Sequence, residues 1–344
     1  MSADGGAGAP QPEGSTRPNG APQQQGAPNL KSAFVAIVGR PSSGKSTLVN
    51  RVCGNKVSIV SNVPQTTRNK IRGIVNRPEG QLVFIDTPGF HVSSRKFNRY
   101  MKDLVLSSLD EVDLVLYMVD LTRPPGEEEE ALMSLLFPPS EATPAETASV
   151  DQGTPTTRVT GTRRGTAPVV VALNKIDGPV LHEEERRSSL AGIDPAPRVV
   201  RVSALTGEGV DDLLSVLFDL APEGQPFYPS EFYTDQDPEF RIAESIREKV
   251  ILHTREEVPH AVYVEIADAE MRREALWVRA FIQVERESQK GIVVGRGGAM
   301  IRRIRLEAED ELAGLFPYRV RLDLRVKVSK KWRSRDALLR RLTR

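Results

Sequence analysis

One eight-residue stretch, Gly39-Arg40-Pro41-Ser42-Ser43-Gly44-Lys45-Ser46, constrains this 344-residue chain more than any other part of it. It matches the pattern G-x-x-x-x-G-K-[ST]. A continuous apolar run, FVAIVG (34–39), precedes it, and KSTLVNRVCG (45–54) follows with helical periodicity and a glycine stop. Strand, glycine-rich loop and helix in that order build a phosphate cradle. Glycines let backbone N–H groups close around oxygens, and the helix N-terminus adds positive potential. Lys45 suits the β- and γ-phosphates, and the Ser46 hydroxyl suits Mg²⁺. The loop residues and Thr47 after them are candidate nucleotide contacts.

Three further fragments narrow the nucleotide. Asp86-Thr87-Pro88-Gly89 ends an apolar run, where the aspartate can hold Mg²⁺ through water and the Gly89 N–H can touch a γ-phosphate. Asn174-Lys175-Ile176-Asp177 ends another run. A carboxylate at Asp177 can accept from the N1–H and 2-amino groups of guanine, which adenine lacks, and the Lys175 stem can cover the base. Ser203-Ala204-Leu205 can offer a backbone N–H to guanine O6. Each fragment alone is ordinary turn chemistry. All four in order, each at a strand end, read as one guanine-nucleotide site.

The surrounding pattern alternates strands and helices. IRGIVNR and QLVFIDT flank a Pro-Glu-Gly turn and read as a hairpin, while DLVLYMVDL, PVVVALNKID and PRVVRVSAL read as buried strands. Helical segments fall near 99–109, 127–137 and 209–220. Fully apolar strands spaced by helices predict an α/β domain with a mainly parallel sheet and helices on both faces. The expected division is a disordered tail (1–31), a nucleotide domain (32–222) with a disordered insertion (138–167), a linker (223–240) and a second domain (241–344). The tail and insertion are too poor in large apolar side chains to fold.

The second region reads α-β-β-α-β. Residues 288–344 hold 16 Lys and Arg against 6 Asp and Glu, a net +10, so the remainder of this +1 chain carries −9. A basic block suits a polyanion. Within it, Gly295-Arg296-Gly297-Gly298 lies between IVV and AMIRRI, a β-loop-helix context for a G-x-x-G nucleic-acid clamp. Lys290, Arg296, Arg302 and Arg303 are the candidate phosphate contacts, with Ile292 and Ile301 as a groove floor. Trp277 and Trp332 are expected to be packed. His91 reads as a surface or switch residue, and His253 and His260 show no metal-ligand spacing. The single cysteine, Cys53, rules out an intrachain disulfide and points to a reducing compartment, and no run of 18 apolar residues exists to span a membrane.

With these motifs in place the chain resembles the translation-factor-related GTPases, and more narrowly the Era family. VSIVSNVPQTT (57–67) followed by Arg68 is similar to that family's first switch, and residues 287–298 to its KH loop. The resemblance covers roughly 32–332. It implies a P-loop GTPase domain followed by an α+β type II KH domain, with GTP/GDP and Mg²⁺ as cofactors. Thr67 would join Ser46 and Asp86 as a metal ligand, and Lys45, Thr67 and Gly89 would act on the γ-phosphate. It also implies a role in 30S small-subunit assembly, with 16S rRNA near its 3′ end as the bound RNA.

A cytoplasmic monomer is expected, with peripheral contact to the inner membrane face through IRRIR (301–305). Phe90 follows the DTPG motif where signalling GTPases place a water-orienting glutamine, so slow unaided hydrolysis is expected, and the sequence names no general base. Ser42 replaces the loop asparagine that binds K⁺ in related enzymes, which puts K⁺ activation in question. Two other readings stay open: an RNA-binding scaffold with a structural nucleotide site, and a DNA-binding or membrane-recruited GTPase.

Overall fold

The computed structural model describes residues 30–138 and 167–342, except 62, 64–65 and 92–95. Most of the tail and of the insertion expected to be disordered lies outside the described residues, as does Gln65 of the switch motif.

The chain first alternates β1 (Lys31–Val38), α1 (Lys45–Cys53), β2 (Ile71–Arg77), β3 (Gly80–Asp86), α2 (Lys96–Leu109), β4 (Leu114–Asp120), α3 (Glu127–Leu136), β5 (Val169–Asn174), α4 (Glu183–Leu190), β6 (Arg198–Val202) and α5 (Val210–Leu220). The six strands form one sheet in the order β2-β3-β1-β4-β5-β6. Only β2 runs antiparallel, joined to β3 by the expected hairpin. The four inner strands β3, β1, β4 and β5 are buried along nearly all their length because helices cover both faces, while the edge strands β2 and β6 are partly exposed. Leu48 of α1 and Leu213 and Leu217 of α5 pack on one face. Val105 of α2, Leu132 of α3 and Leu190 of α4 pack on the other. The helix α4 carries three glutamates and two arginines, so its weak apolar stripe hid it from the sequence reading.

Residues 223–237 run along the β2 edge. The Gln81 side chain accepts from the Phe227 and Tyr228 amides at 2.9 and 3.0 Å, and the Tyr233 carbonyl pairs with the Ile74 amide. The expected linker is thus fastened to the first sheet.

The second unit follows as α6 (Pro238–His253), α7 (Val258–Ala261), β7 (Tyr263–Arg272), β8 (Ala275–Val284), α8 (Glu287–Val294), α9 (Ala299–Leu315), β9 (Arg319–Val328) and α10 (Asp336–Leu342). Its sheet has the order β7-β8-β9, with β8 and β9 parallel. Alternate residues of β8 and β9, among them Val278, Ala280, Leu322 and Val326, share a core with Ile246 of α6 and Ile304 of α9.

Two expectations change here. The IVV run is the last turn of α8, so the glycine loop joins two helices rather than a strand and a helix. A short apolar run fits either state, and the deciding signal was Gln289, whose side chain accepts from the Glu285 and Arg286 amides and caps the helix start. Trp277 is not packed but 46% exposed, while Trp332 is fully buried as expected.

Trp332 anchors a small core where the two units meet. Its ring lies edge-on to Phe97 of α2 and Tyr263 of β7, and its indole N–H donates to the Ala261 carbonyl at 2.8 Å. Replacing Trp332 with alanine should cost about 3–5 kcal/mol, measured by chemical denaturation of the full chain.

Candidate nucleotide site

Every sequence motif for the nucleotide falls at the carboxyl end of the parallel strands, the edge where open α/β sheets bind ligands. The loop after β1, the DTPG turn after β3, the NKID turn after β5 and the segment after β6 surround a cavity of about 360 Å³. Pro41, Ser42, residues 44–47, Thr67, Gly89, Asn174, Lys175, Asp177, Ala204 and Leu205 face it. Gly39, Arg40, Ser43, Asp86, Thr87, Pro88 and Ser203 stand behind this wall. At Gly44 the backbone φ is 102°, and a Cβ there would lie 2.2 Å from the Asn174 amide nitrogen, so only glycine fits.

At the phosphate end, Lys45 folds back on its own loop, donating to the Gly39 and Arg40 carbonyls at 3.0 and 2.9 Å. Burial pulls its pKa down to about 8, against a partial upward pull from Asp86. Ser46 Oγ donates to Asp86 Oδ2 at 2.7 Å and lies 2.8 Å from Thr67 Oγ1. The other Asp86 oxygen is buried without a partner, and burial pushes the carboxyl above its usual range. Thr66 also lines the cavity, but its hydroxyl is taken by Ser61 and the Val63 carbonyl, so Thr67 is the threonine whose hydroxyl reaches Ser46 and Asp86. Thr87 is structural, donating to the Ile37 carbonyl. Phe90 is buried in the sheet core, and its amide donates to the Gly39 carbonyl. His91 pairs with Glu128 at 2.9 Å.

At the base end, Asn174 joins the segments. Its side chain donates to the Ser43 carbonyl at 2.8 Å and accepts from the Ala204 amide at 2.9 Å. Ser203 Oγ donates to Asp177 Oδ1 at 2.6 Å, fixing that carboxylate. Sequence reasoning missed Asp120, at the end of β4. It is fully buried, meets Lys175 Nζ at 2.7 Å, and accepts from the Thr122 amide and hydroxyl at 2.9 and 2.7 Å. Burial works against its charge, but Lys175 and Thr122 outweigh it and keep its pKa low. Arg40 points the same way, to Glu129, which Arg186 also holds, so it braces α3 and α4 rather than facing the cavity. The signal available for Asp120 was a polar residue ending an apolar strand, the pattern shared by Asp86 and Asn174.

The first switch is held from two sides. Asn50 of α1 accepts from the Val57 and Ser58 amides, both at 2.8 Å. Ile59 is buried in the second unit's core. The Val60 amide donates to Glu248, Arg247 Nη2 donates to the Thr66 carbonyl at 2.6 Å, and Lys56 pairs with Glu248 and Glu311. Arg68 goes furthest. Its buried guanidinium donates to the carbonyls of Pro259, His260 and Val262 at 3.2, 3.3 and 2.6 Å, and lies over the Phe97 and Trp332 rings.

In the second unit, Gly295, Gly297 and Gly298 all have positive φ, and the turn they make ends at the start of α9. Arg296 and Arg302 are exposed there and have no carboxylate partner among the described residues. Arg303 is paired with Glu307 at 2.8 Å and Lys290 approaches Glu287 at 3.8 Å. Ile292 is half exposed beside the loop, and Ile301 packs partly on the core.

Fold and site together define a P-loop nucleotide-binding GTPase domain joined to a KH domain. Residues 34–147 match the family described as a 50S ribosome-binding GTPase, and residues 257–333 match the KH domain. The GTPase Era of Treponema denticola is 46% identical over 91% of this chain and 100% of its own length. That of Borreliella afzelii is 39% identical over 91% and 99%. The solved Aquifex aeolicus Era bound to GDP·AlF4⁻ superposes with a TM-score of 0.78 at 32% identity, covering 90% of this chain and 98% of its own. A solved Era in complex with MgGDPNP and nucleotides 1506–1542 of 16S ribosomal RNA gives 0.77 at 32% identity over the same shares. The chain belongs to the GTPase Era family, and it is a GTPase that binds guanine nucleotide.

Two outcomes follow for the site. Asp177→Asn should weaken GTP binding roughly 100- to 10,000-fold by removing two charge-assisted hydrogen bonds, and should transfer preference to xanthosine triphosphate, measured by competition titration. Lys45 binds phosphate when protonated. Guanine-nucleotide affinity should therefore stay level below a pH of about 8 and fall by up to about tenfold per unit above it, measured with a fluorescent GTP analogue.

Proposed function

We propose that this chain is a GTP-driven switch of small-subunit assembly that grips 16S rRNA near its 3′ end with its KH domain and releases it after hydrolysis. The observation that carries the reading is the pairing of neighbours in the switch: Thr67 lies on the metal side of the nucleotide site, and Arg68 is buried among backbone carbonyls of the KH unit. A γ-phosphate that reorders Thr67 must pull on Arg68. The relative solved with an RNA of this origin supports the choice of ligand.

The proposed metal is Mg²⁺. Ser46, Thr67 and Asp86 supply the hard oxygen donors it prefers, and the buried unpartnered Asp86 oxygen is the mark of a cation-shaped need. When bound it would neutralise charge between the β- and γ-phosphates. Lys45 leaves its loop carbonyls to meet the phosphates. The Gly89 amide donates to the γ-phosphate, while the buried Phe90 ring orients no water, so chemistry waits for a partner. Ser42, exposed with φ 63°, offers a single hydroxyl where related enzymes place an asparagine, a poor K⁺ ligand. Asp177, held by Ser203, selects guanine, and Lys175, held by Asp120, covers it. Exposed Arg302 and Arg303, within residues 301–305, would supply the charge for peripheral contact with an anionic membrane surface. No helix among the described residues is long and apolar enough to cross a membrane.

Phosphate release should be slow for the chain alone and rise when 30S particles with an accessible 16S 3′ end are added. Equal rates with and without particles would leave the switch without its partner. No release in either condition would favour a scaffold.

A further inference from the structure

The outward face of the KH sheet is unlike the rest of the surface. Alternation along β8 sends Val278, Ala280 and Ile282 into the core, and Trp277, Arg279 and Phe281 to the other face. Alternation along β9 likewise turns Arg319, Arg321, Arg325 and Lys327 outward. The parallel register sets Trp277 beside Arg321, Phe281 beside Arg325, and Gln283 beside Lys327. Each aromatic therefore has a cation across the ladder. Lys327 Nζ already rests 3.2 Å from the centre of the Phe281 ring. Trp277 is 46% exposed, with Arg272 near its ring.

The charges on this face are unevenly neutralised. Arg279 and Arg325 share Asp323 at 2.8 and 3.3 Å, and Arg321 meets Glu309 at 3.5 Å. Arg319 has no ion-pair partner among the described residues, whereas Glu265, Asp268 and Glu270 of the neighbouring strand β7 stand opposite Phe281, Arg279 and Trp277, with Glu270 paired to Arg272 and Glu265 accepting from Gln283. The basic rim is thus the β9 edge, with Arg319, Arg321, Arg325 and Lys327, and the β8 aromatics lie between it and the acidic β7. The exposed Trp277 ring and the half-buried Phe281 ring, beside the cations of β9 at the two-residue strand repeat, match what an extended polyanion with flat bases requires: stacking for the base, charge for the phosphate.

We propose that this face, from Trp277 and Arg319 to Lys327, is a second binding surface for single-stranded RNA. It is separate from the glycine loop. The loop precedes α9 on the helix-covered side, and the Trp277 end lies by the segment that follows α9, about 25 Å away along a 17-residue helix. A G-x-x-G groove clamps about four nucleotides, so a longer strand leaves the groove with bases to place. The proposal rests on the RNA-binding reading for the identity of the polymer only.

The test titrates the full chain with two single-stranded RNAs, one of about four nucleotides and one several times longer. Trp277→Ala should weaken the long RNA roughly tenfold or more and leave the short one unchanged. Arg321→Gln with Arg325→Gln should lower the log–log salt slope for the long RNA by about 1.4. Because Trp332 is buried, quenching of tryptophan emission by the long RNA alone reports Trp277. Loss of short-RNA binding in Gly297→Asp, with the long RNA still quenching Trp277, supports two surfaces. A wild-type chain that ignores the short RNA but is quenched by the long one supports this face while removing the groove. Unchanged long-RNA binding in the face variants overturns the proposal. So does equal weakening of both RNAs, or loss of binding to phosphatidylserine vesicles with RNA binding intact.

Discussion

Two consecutive side chains, Thr67 and Arg68, tie the halves of this molecule together. In an extended segment neighbours point opposite ways, so one backbone step carries a hydroxyl into the nucleotide site and a guanidinium into the KH unit. Thr67 Oγ1 reaches Ser46 and lies 3.4 Å from Asp86. Arg68 reaches three carbonyls across the junction. Neither contact can shift far without moving the other.

The cost of burying Arg68 shows how much the junction depends on it. Among the described residues no carboxylate pairs with the guanidinium, whose hydrogen bonds go to carbonyls. Burial and the nearby charge of Arg247 disfavour its charged form, with Glu244 offering partial relief. What holds it are carbonyl dipoles and two aromatic faces, which serve a weakly hydrated planar cation better than an ammonium. Removing such a group leaves orphaned carbonyls in a dry junction. Around it, Lys56 and Lys249 hold Glu311, whose pKa these partners pull down to about 2 against the effect of burial. The switch is therefore part of the KH unit's packing as much as of the nucleotide site.

Local chemistry was legible in the sequence and long-range pairing was not. The glycine loop, the DTPG and NKID turns, the hairpin and the Thr67 assignment depend on residues close in the chain, where spacing dictates geometry. The buried strands were legible because their apolar runs have no polar alternative. Asp120 was overlooked because its partner, Lys175, lies 55 residues away. Arg68 was read as the end of a switch motif, since nothing local shows that its partners lie about 190 residues on. The IVV run and Trp277 failed for one reason: a short apolar segment does not say which element it joins, nor which face of a sheet a neighbour covers.

The family resemblance supplied the KH fold where the glycine loop alone was weak. The structure then supplied what resemblance could not, namely which side chains of this chain carry the connection. Titrating RNA against the chain loaded with a non-hydrolysable GTP analogue or with GDP, for wild type and Arg68→Ala with folding checked for both, tests this most directly. The wild-type affinity ratio should be about 5- to 150-fold and should collapse toward unity in the variant. An unchanged ratio in the variant, or none in the wild type, would contradict it.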